Sequence, residues 1–541
     1  MGYSLTVQFK VLTGGFPMET TENTSQDAPS SYVKKLEATI GKENVKTSKF
    51  ERLLYSHDLA PLPKEAQLAF KNIPDVVVRP RSTEDVQNIV KIAAEDRIPI
   101  TPRGSSSWGL GGSIPVFGGI LIDMTGGMNK IVKIDKENLY VTVEAGVTWK
   151  QVYEACLDQG LLLGSYPSSF PSATVAGWIS TGGIGIGNYK YGSAGNNVRS
   201  MEVVMADGIV INTGFDAVCD NSSGYNLNWL MVGAEGTIGV ITKVTFRLTP
   251  APETMRPLSY AFDNLEAIGA PLLEVCRSRV DPLHISFGDG RHYELLRKAG
   301  KHAPEVGSML SFMLEGDNVT VQHEEEVIDK IMEKHGGKKM PESTAQHEWD
   351  ERCYEFRSRE IGLGHIPGEI IVPLTQFNAM TEGTYALIDE MKMEGAVIGI
   401  MADRNTVMFM PYYLYDSESL LKSIASLAFN KKFGDVALKY GGRPLGFGIF
   451  FASNLKMLRG DAAKYMKTMR CALDPKEIMN PGKLTETVTR QGILIPPALF
   501  NLGMDALSVG KKMLPRDQEV DRRAKDYEAE RKKKEKTEHR H

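Results

Sequence analysis

The sequence predicts an α+β fold in two main domains, and three observations carry the prediction. The chain of 541 residues exceeds the roughly 100 to 200 that one domain usually holds. Strand-like and helical stretches mix without strict alternation up to about Pro252. From Met255 to about Met410 a coarse strand, long helix, strand pattern repeats, which fits an antiparallel sheet with helices packed on it.

Taken in order, residues 1–30 are polar and aperiodic and read as a mobile arm. A short helix, SYVKKLEATIG, ends at Gly41, so residues 1–47 form an arm and short helix ahead of the first domain, 48–252. There the strands are expected at 76–79, 98–101, 119–123, 140–144 and 202–205, with helices at 82–96 and 148–159, the second stopped by Gly160. The second domain, 253–470, opens on SYAFDN and continues through helix 265–279, strands DPLHISFGD and SMLSFMLEG, and the charged helix HEEEVIDKIMEKHG. Helices are expected at 416–434 and 461–473. Residues 471–490 return to the first domain. Of the 491–541 tail, residues 492–515 are amphipathic and apolar enough to dock, and 516–541 read as a solvated helix or a disordered end.

Composition removes several functions. A net charge of −4 and pI near 6.3 lack the broad basic surface that nucleic-acid binding needs. Cys156, Cys219, Cys276, Cys353 and Cys471 contain no C-x-x-C pair, so neither a zinc ribbon nor an internal iron-sulfur cluster is expected. No apolar run reaches membrane-spanning length, and the N-terminal residues lack a charged start followed by a continuous apolar core, so no secretory leader is expected. A cytoplasmic protein, peripheral to a membrane at most through a partner, is the expectation.

Residues 167–208, PSSFPSATVAGWISTGGIGIGNYKYGSAGNNVRSMEVVMADG, form a long stretch dense in Gly, Ser and Thr. Clustered glycines let backbone approach a ligand closely, and converging backbone N–H groups stabilise a phosphate. TPRGSSSWGLGG, residues 101–112, has the same character, and NLNWLMVGAEGTIGVIT, residues 226–242, adds Gly233, Glu235, Gly236 and Gly239. Each glycine alone is equally a tight turn.

In this order, flanked by PDVVVRPRSTEDV and CALDPKEIMNPGKL, the three segments resemble the flavin-binding domain of the vanillyl-alcohol oxidase and p-cresol methylhydroxylase superfamily, over residues 48–484. The resemblance implies a two-subdomain PCMH-type FAD-binding domain, a substrate cap domain and an FAD-linked oxidoreductase. It places Arg103, Gly104, Ser105, Ser106 and Ser107 at the pyrophosphate, with Ser106 standing where glycine is usual. Pro167, Ser168, Thr174, Gly177, Gly182, Gly183, Tyr191 and Gly192 would lie near the ring and ribityl chain, and Glu235, Gly236 and Ile241 near the adenine. Neither loop offers the His or Cys used for covalent attachment, and Tyr166, Tyr189 and Tyr191 read as packing, so the FAD is expected to be non-covalent.

Within the superfamily the cap resembles the glycolate oxidase and D-lactate dehydrogenase branch. WDER followed by EIIVP is similar to that branch's W-x-x-R motif, which implies Arg352 as the carboxylate-binding fork. A salt bridge to Glu351 or Glu355 is the alternative. The branch's G-H-x-G-D-G-N-x-H, whose histidines hold a divalent metal, matches GIMADRNTV here. Ile400 and Val407 occupy the ligand positions, and no catalytic metal is expected. The remaining catalytic candidates are Arg404 and Arg443 for charge stabilisation, and His365 and Tyr412 for proton transfer; His365 is equally a turn residue and Tyr412 equally core.

The leading expectation is oxidation of a small hydroxy acid such as D-lactate. Electrons would pass to a separate iron-sulfur or electron-transferring flavoprotein partner, with residues 493–514 as a docking surface. The alternatives are an alcohol or phenol oxidase of the same fold, and a flavin-bearing electron-transfer subunit without its own substrate. Against the phenol reading, GFGIFF stands where the phenol branch has its tyrosine and arginine.

Overall fold

The computed structural model describes residues 31–59, 71–219, 222–353, 355–361, 364–415, 420–449, 451–489, 494–515 and 519–538. The expected N-terminal arm lies outside the described residues.

Three sheets organise the chain. The first has four strands in the order Val45–Lys46, Val76–Val78, Ile120–Asp123, Ile100–Arg103, with the last three parallel. Its valines and isoleucines are buried on both faces, as a covered parallel sheet requires. Helix Thr83–Asp96 makes the crossover: Ser82 caps its N-terminus and Arg97, in the left-handed conformation, ends it.

The second sheet is antiparallel. It runs Ile131–Asp135, Tyr140–Glu144, Gly239–Pro250, Val198–Met205, Val210–Asn212, with Leu161–Leu163 also paired to the long strand Gly239–Pro250. Helix Trp149–Leu157 starts on a capping box between Thr148 and Gln151. The glycine-rich stretch between the strands is more ordered than a loop system, because Thr174 opens helix Val175–Ser180 and a Ser193 to Asn196 capping box opens Ala194–Asn197. One core joins these two sheets and takes in Ile478 and Met479. Asn480 locks that return, its amide N–H reaching the Ile100 carbonyl at 2.8 Å and its side chain reaching the Glu235 carbonyl at 2.7 Å.

The third sheet has nine strands, eight of them in the order Lys338–Lys339, Thr254–Phe262, Ser308–Gly316, His284–Asp289, Glu394–Met401, Thr406–Tyr415, Ile370–Pro373, Arg443–Pro444; Gly364–Pro367 also pairs with Thr406–Tyr415. Strand alternation sorts its side chains. Ile285, Phe287, Val397, Val407, Phe409 and Ile370 face a core built with helices Gly269–Arg277, Asn318–Lys334, Phe377–Glu390 and Leu420–Lys439. Their neighbours Ile398, Ile400, Met408 and Met410 face the other way, where Ile184 of the glycine-rich stretch packs on them.

Helix Pro497–Met513 docks on this domain through Leu507, a Lys432 to Asp505 ion pair of 2.7 Å and the buried Ser508. Its outer face leaves Leu499, Leu502, Val509 and Met513 exposed. The charge-dense end is a helix, Glu519–Glu538, and is not wholly solvated: Ala524 and Tyr527 pack against the cap and Tyr527 donates to Glu360.

Candidate functional site

A cavity of about 350 Å³ opens between the first two sheets and the exposed half of the third. The strand Ile100–Arg103 delivers the loop Gly104–Ser107 to its wall. Thr174, Gly177 and Gly183 approach from the glycine-rich stretch, and Glu235, Gly236 and Ile241 from the third segment. Arg103, Pro167 and Ser168 complete the lining contributed by the expected flavin residues.

Close approach demands these residue types. A Cβ at Gly104 would sit 2.0 Å from Thr174 Oγ1, so the two loops meet there at glycine. Ser106 holds φ 56, the left-handed region that a glycine at this place would adopt freely, and its hydroxyl shares a 2.8 Å hydrogen bond with Ser113. The departure at Ser106 therefore keeps the loop's shape. Arg103 is turned from the loop: its guanidinium donates to the Tyr55 carbonyl at 3.2 Å and lies over the Tyr55 ring.

The donors and acceptors in this cradle fit FAD. Thr174 Oγ1 and Glu235 Oε2, on two residues that line the cavity, are buried with no hydrogen-bond partner among the described residues, and a bound cofactor would account for both. Glu235 Oε1 accepts the Gly448 amide at 3.0 Å, while burial pushes its carboxyl up to about 6. Lys483, pushed down to about 7 by burial, donates to the Ile114 carbonyl at 2.5 Å.

The cap contributes Arg352, His284, Glu369 and an apolar floor. Arg352 lies 4.1 Å over the Trp349 ring, donates from Nε to Tyr166 at 3.1 Å and from Nη1 to the Trp349 carbonyl at 2.8 Å. It faces the cavity, and Glu351 is paired with Arg357. His284 is buried beside it, packed on the same Trp349 ring at 6.3 Å, and Nδ1 has no partner among the described residues. Burial, then the Arg352 charge, hold it down at about 3, so the ring is neutral. Glu369 accepts Trp108 Nε1–H at 2.7 Å, and burial pushes it up to about 7.

Several sequence expectations stand elsewhere. Arg404 staples the turn after helix Gly269–Arg277, donating to the carbonyls of Cys276, Ser278 and Val280 and to Asp281. Arg443 is exposed and holds the Gly441 and Gly442 carbonyls. Tyr412 is core, bonded to His292 Nδ1 at 2.8 Å. Tyr191 donates to Glu315, and Gly182 and Gly192, at φ 85 and 77, shape turns behind the cavity wall. His365 lies on strand Gly364–Pro367, and its side chain lies outside the described residues.

His284, Glu369 and Trp108 were not singled out from sequence. His284 is an ordinary strand residue in DPLHISFGD, and its significance comes from strands and a helix far apart in the chain. Glu369 heads EIIVP, which drew attention to the strand and not to its first residue. Among the described residues no three His, Cys, Asp or Glu side chains are grouped as a metal site would need, and Ile400 lines the cavity as an apolar group. The five cysteines form no disulfide. No described helix is long and apolar enough to cross a membrane.

Known proteins resemble this chain in sequence and fold. The family model described as FAD binding domain matches residues 74–214, and that for FAD linked oxidases, C-terminal domain, matches 251–484. A D-lactate dehydrogenase of Archaeoglobus fulgidus is 32% identical over 440 residues, covering 80% of this chain and 95% of its own. The glycolate oxidase subunit GlcD of Bacillus subtilis is 29% identical over 468 residues, 84% and 96%. A crystal structure of p-cresol methylhydroxylase with substrate bound superposes with TM-score 0.73 at 21% identity, covering 84% of this chain and 96% of that one, which shows the shared fold.

Proposed function

We propose, from the premise that the chain belongs to the FAD-linked oxidases of the glycolate oxidase and D-lactate dehydrogenase kind and is an FAD-dependent oxidoreductase acting on CH–OH groups, that it oxidises a 2-hydroxy acid to the 2-oxo acid. The observation that carries this reading is the pairing of Arg352 with His284 on one aromatic wall of the cavity. A 2-hydroxy carboxylate has its hydroxyl next to its carboxylate. A guanidinium and a neutral imidazole side by side match those two groups.

Arg352 binds the carboxylate; its planar fork suits two oxygens, and stacking on Trp349 with the bond to Tyr166 fixes its plane. His284, uncharged and lining the cavity, takes the hydroxyl proton as the C2–H bond breaks. A carboxylate on Arg352 also cancels part of the positive field that depresses the imidazole, so substrate binding raises its basicity. When bound, FAD supplies the acceptor for the two electrons of that C–H bond. Gly104, Thr174, Gly183 and Glu235 would hold it, dissociably, since no His or Cys stands in either loop.

Electrons then leave to a separate redox protein, for which the exposed face of helix Pro497–Met513 is the proposed contact. Anaerobic mixing of the flavin-loaded protein with a panel of 2-hydroxy acids, alcohols and phenols tests the reading. Bleaching of the flavin band by a 2-hydroxy acid with release of the 2-oxo acid is expected. Bleaching by none of the panel, with reduction by a redox partner alone, would leave the chain an electron-transfer subunit.

A further inference from the structure

The register of the third sheet makes the substrate side of the cavity a floor with two unlike ends. Ser286 pairs with Ile400, Ile400 with Met408, Ile398 with Met410, and Met408 with Ile371. Directly paired residues point to the same face, and alternation puts His284 on the face of Ser286. Glu369 shares the face of Ile371, and Leu445 is joined beside it through its amide and the Glu369 carbonyl at 2.9 Å. His284 and Glu369 therefore line one cavity from strands separated by two others, and the register sets Glu369 level with Gly288, four residues along from His284, so the two lie roughly 20 Å apart on the diagonal of the sheet. Between them lie Ile400, Met408 and Met410, and Leu445 stands beyond Glu369 at the edge strand.

That floor offers a ligand no hydrogen bond and no positive charge. Arg352 stands at the His284 end, and Arg103 is committed to Tyr55 on the opposite wall. At the far end the group is acidic, Glu369, whose carboxylate accepts a hydrogen bond from Trp108. Burial there pushes the carboxyl up to about 7, which reports how apolar the surroundings are. Methionines, being unbranched, adapt to chains of differing shape.

We infer that the substrate is a 2-hydroxy acid with an apolar chain of several carbons, its carboxylate at Arg352 and its chain laid over Ile400, Met408 and Met410, and that 2-hydroxy dicarboxylates are rejected. This rests on the hydroxy-acid reading above. A second carboxylate would be laid on the apolar floor with Glu369 ahead of it, whereas each added methylene leaves water for apolar surface.

The experiment uses the flavin-loaded protein with an artificial electron acceptor and a homologous series: lactate, 2-hydroxybutyrate, 2-hydroxyhexanoate, 2-hydroxyoctanoate, malate and 2-hydroxyglutarate. The expected result is a kcat/KM that rises about three- to fourfold per methylene along the monocarboxylates until the floor is filled, with malate and 2-hydroxyglutarate at least ~100-fold below the best. Ile400→Asn and Met410→Asn should flatten the rise while the protein keeps its flavin. A series led by lactate or by a dicarboxylate overturns the apolar-chain assignment and leaves the hydroxy-acid reading intact. Failure of every hydroxy acid overturns both. Variants that lose flavin yet keep the chain-length dependence would assign the floor to the cofactor, and overturn it as well.

Discussion

Arg352 does two things that separate under mutation: it stacks on Trp349 and it presents a charge to the cavity. Arg352→Met keeps much of the stacking bulk and removes the charge. A charged hydrogen bond contributes about 1.5–3 kcal/mol, so KM for a carboxylate substrate should rise about 10- to 100-fold while flavin content holds. His284→Asn should leave KM nearly unchanged and lower kcat about 10²- to 10⁴-fold, the range for loss of a positioned base. A change in stability alone would give neither split. Gly104→Ala should lower flavin content at fixed FAD, read by flavin absorbance per protein, because its Cβ meets Thr174 Oγ1. Glu369 gives a pH signature. Its folded pKa, about 7, lies above the ordinary 4.5, so the stability it contributes is full below pH 4.5 and is lost as pH rises through 7. Glu369→Gln, which can still accept from Trp108, should therefore match the parent at pH 4 and exceed it in Tm at pH 8.

At the scale of elements, periodicity exposed most of the chain. Helix Thr83–Asp96 and strands Ile120–Asp123 and Tyr140–Glu144 are written in local patterns of caps and apolar runs, and they lie where those patterns put them. The cradle was legible for the same reason: its chemistry is backbone chemistry, and glycine density shows in sequence. The substrate wall was not, because it is made by alternation across strands whose order in the sheet departs from their order in the chain. His284, Ile400 and Glu369 come together only through that pairing. Arg404 illustrates the converse: a lone arginine in a motif looked catalytic, and its four hydrogen bonds instead hold a turn. Helix Pro497–Met513 presents unlike faces, and Leu507→Ala should lower Tm by a few degrees, in line with about 1–2 kcal/mol lost, whereas Leu502→Ser, at an exposed position, should leave Tm within error.

The whole molecule divides labour between its sheets. The first two build a cradle that fits FAD, locked by a C-terminal return through Asn480 and Lys483, and the third lays a wall across its mouth. Trp108 ties the halves by reaching from the cradle loop to Glu369 of the cap. Ile400, where the sequence resemblance implies a metal-binding histidine, lines the cavity as an apolar group, and the proposed base is the neutral His284 beside Arg352. The most direct test is an anaerobic stopped-flow measurement of flavin reduction by a 2-hydroxy monocarboxylate in parent, Arg352→Met and His284→Asn proteins of equal flavin content. Full bleaching is expected in the parent, with a raised half-saturation concentration in Arg352→Met and a slowed limiting rate in His284→Asn. Equal half-saturation and equal limiting rates in all three would contradict the roles assigned to Arg352 and His284.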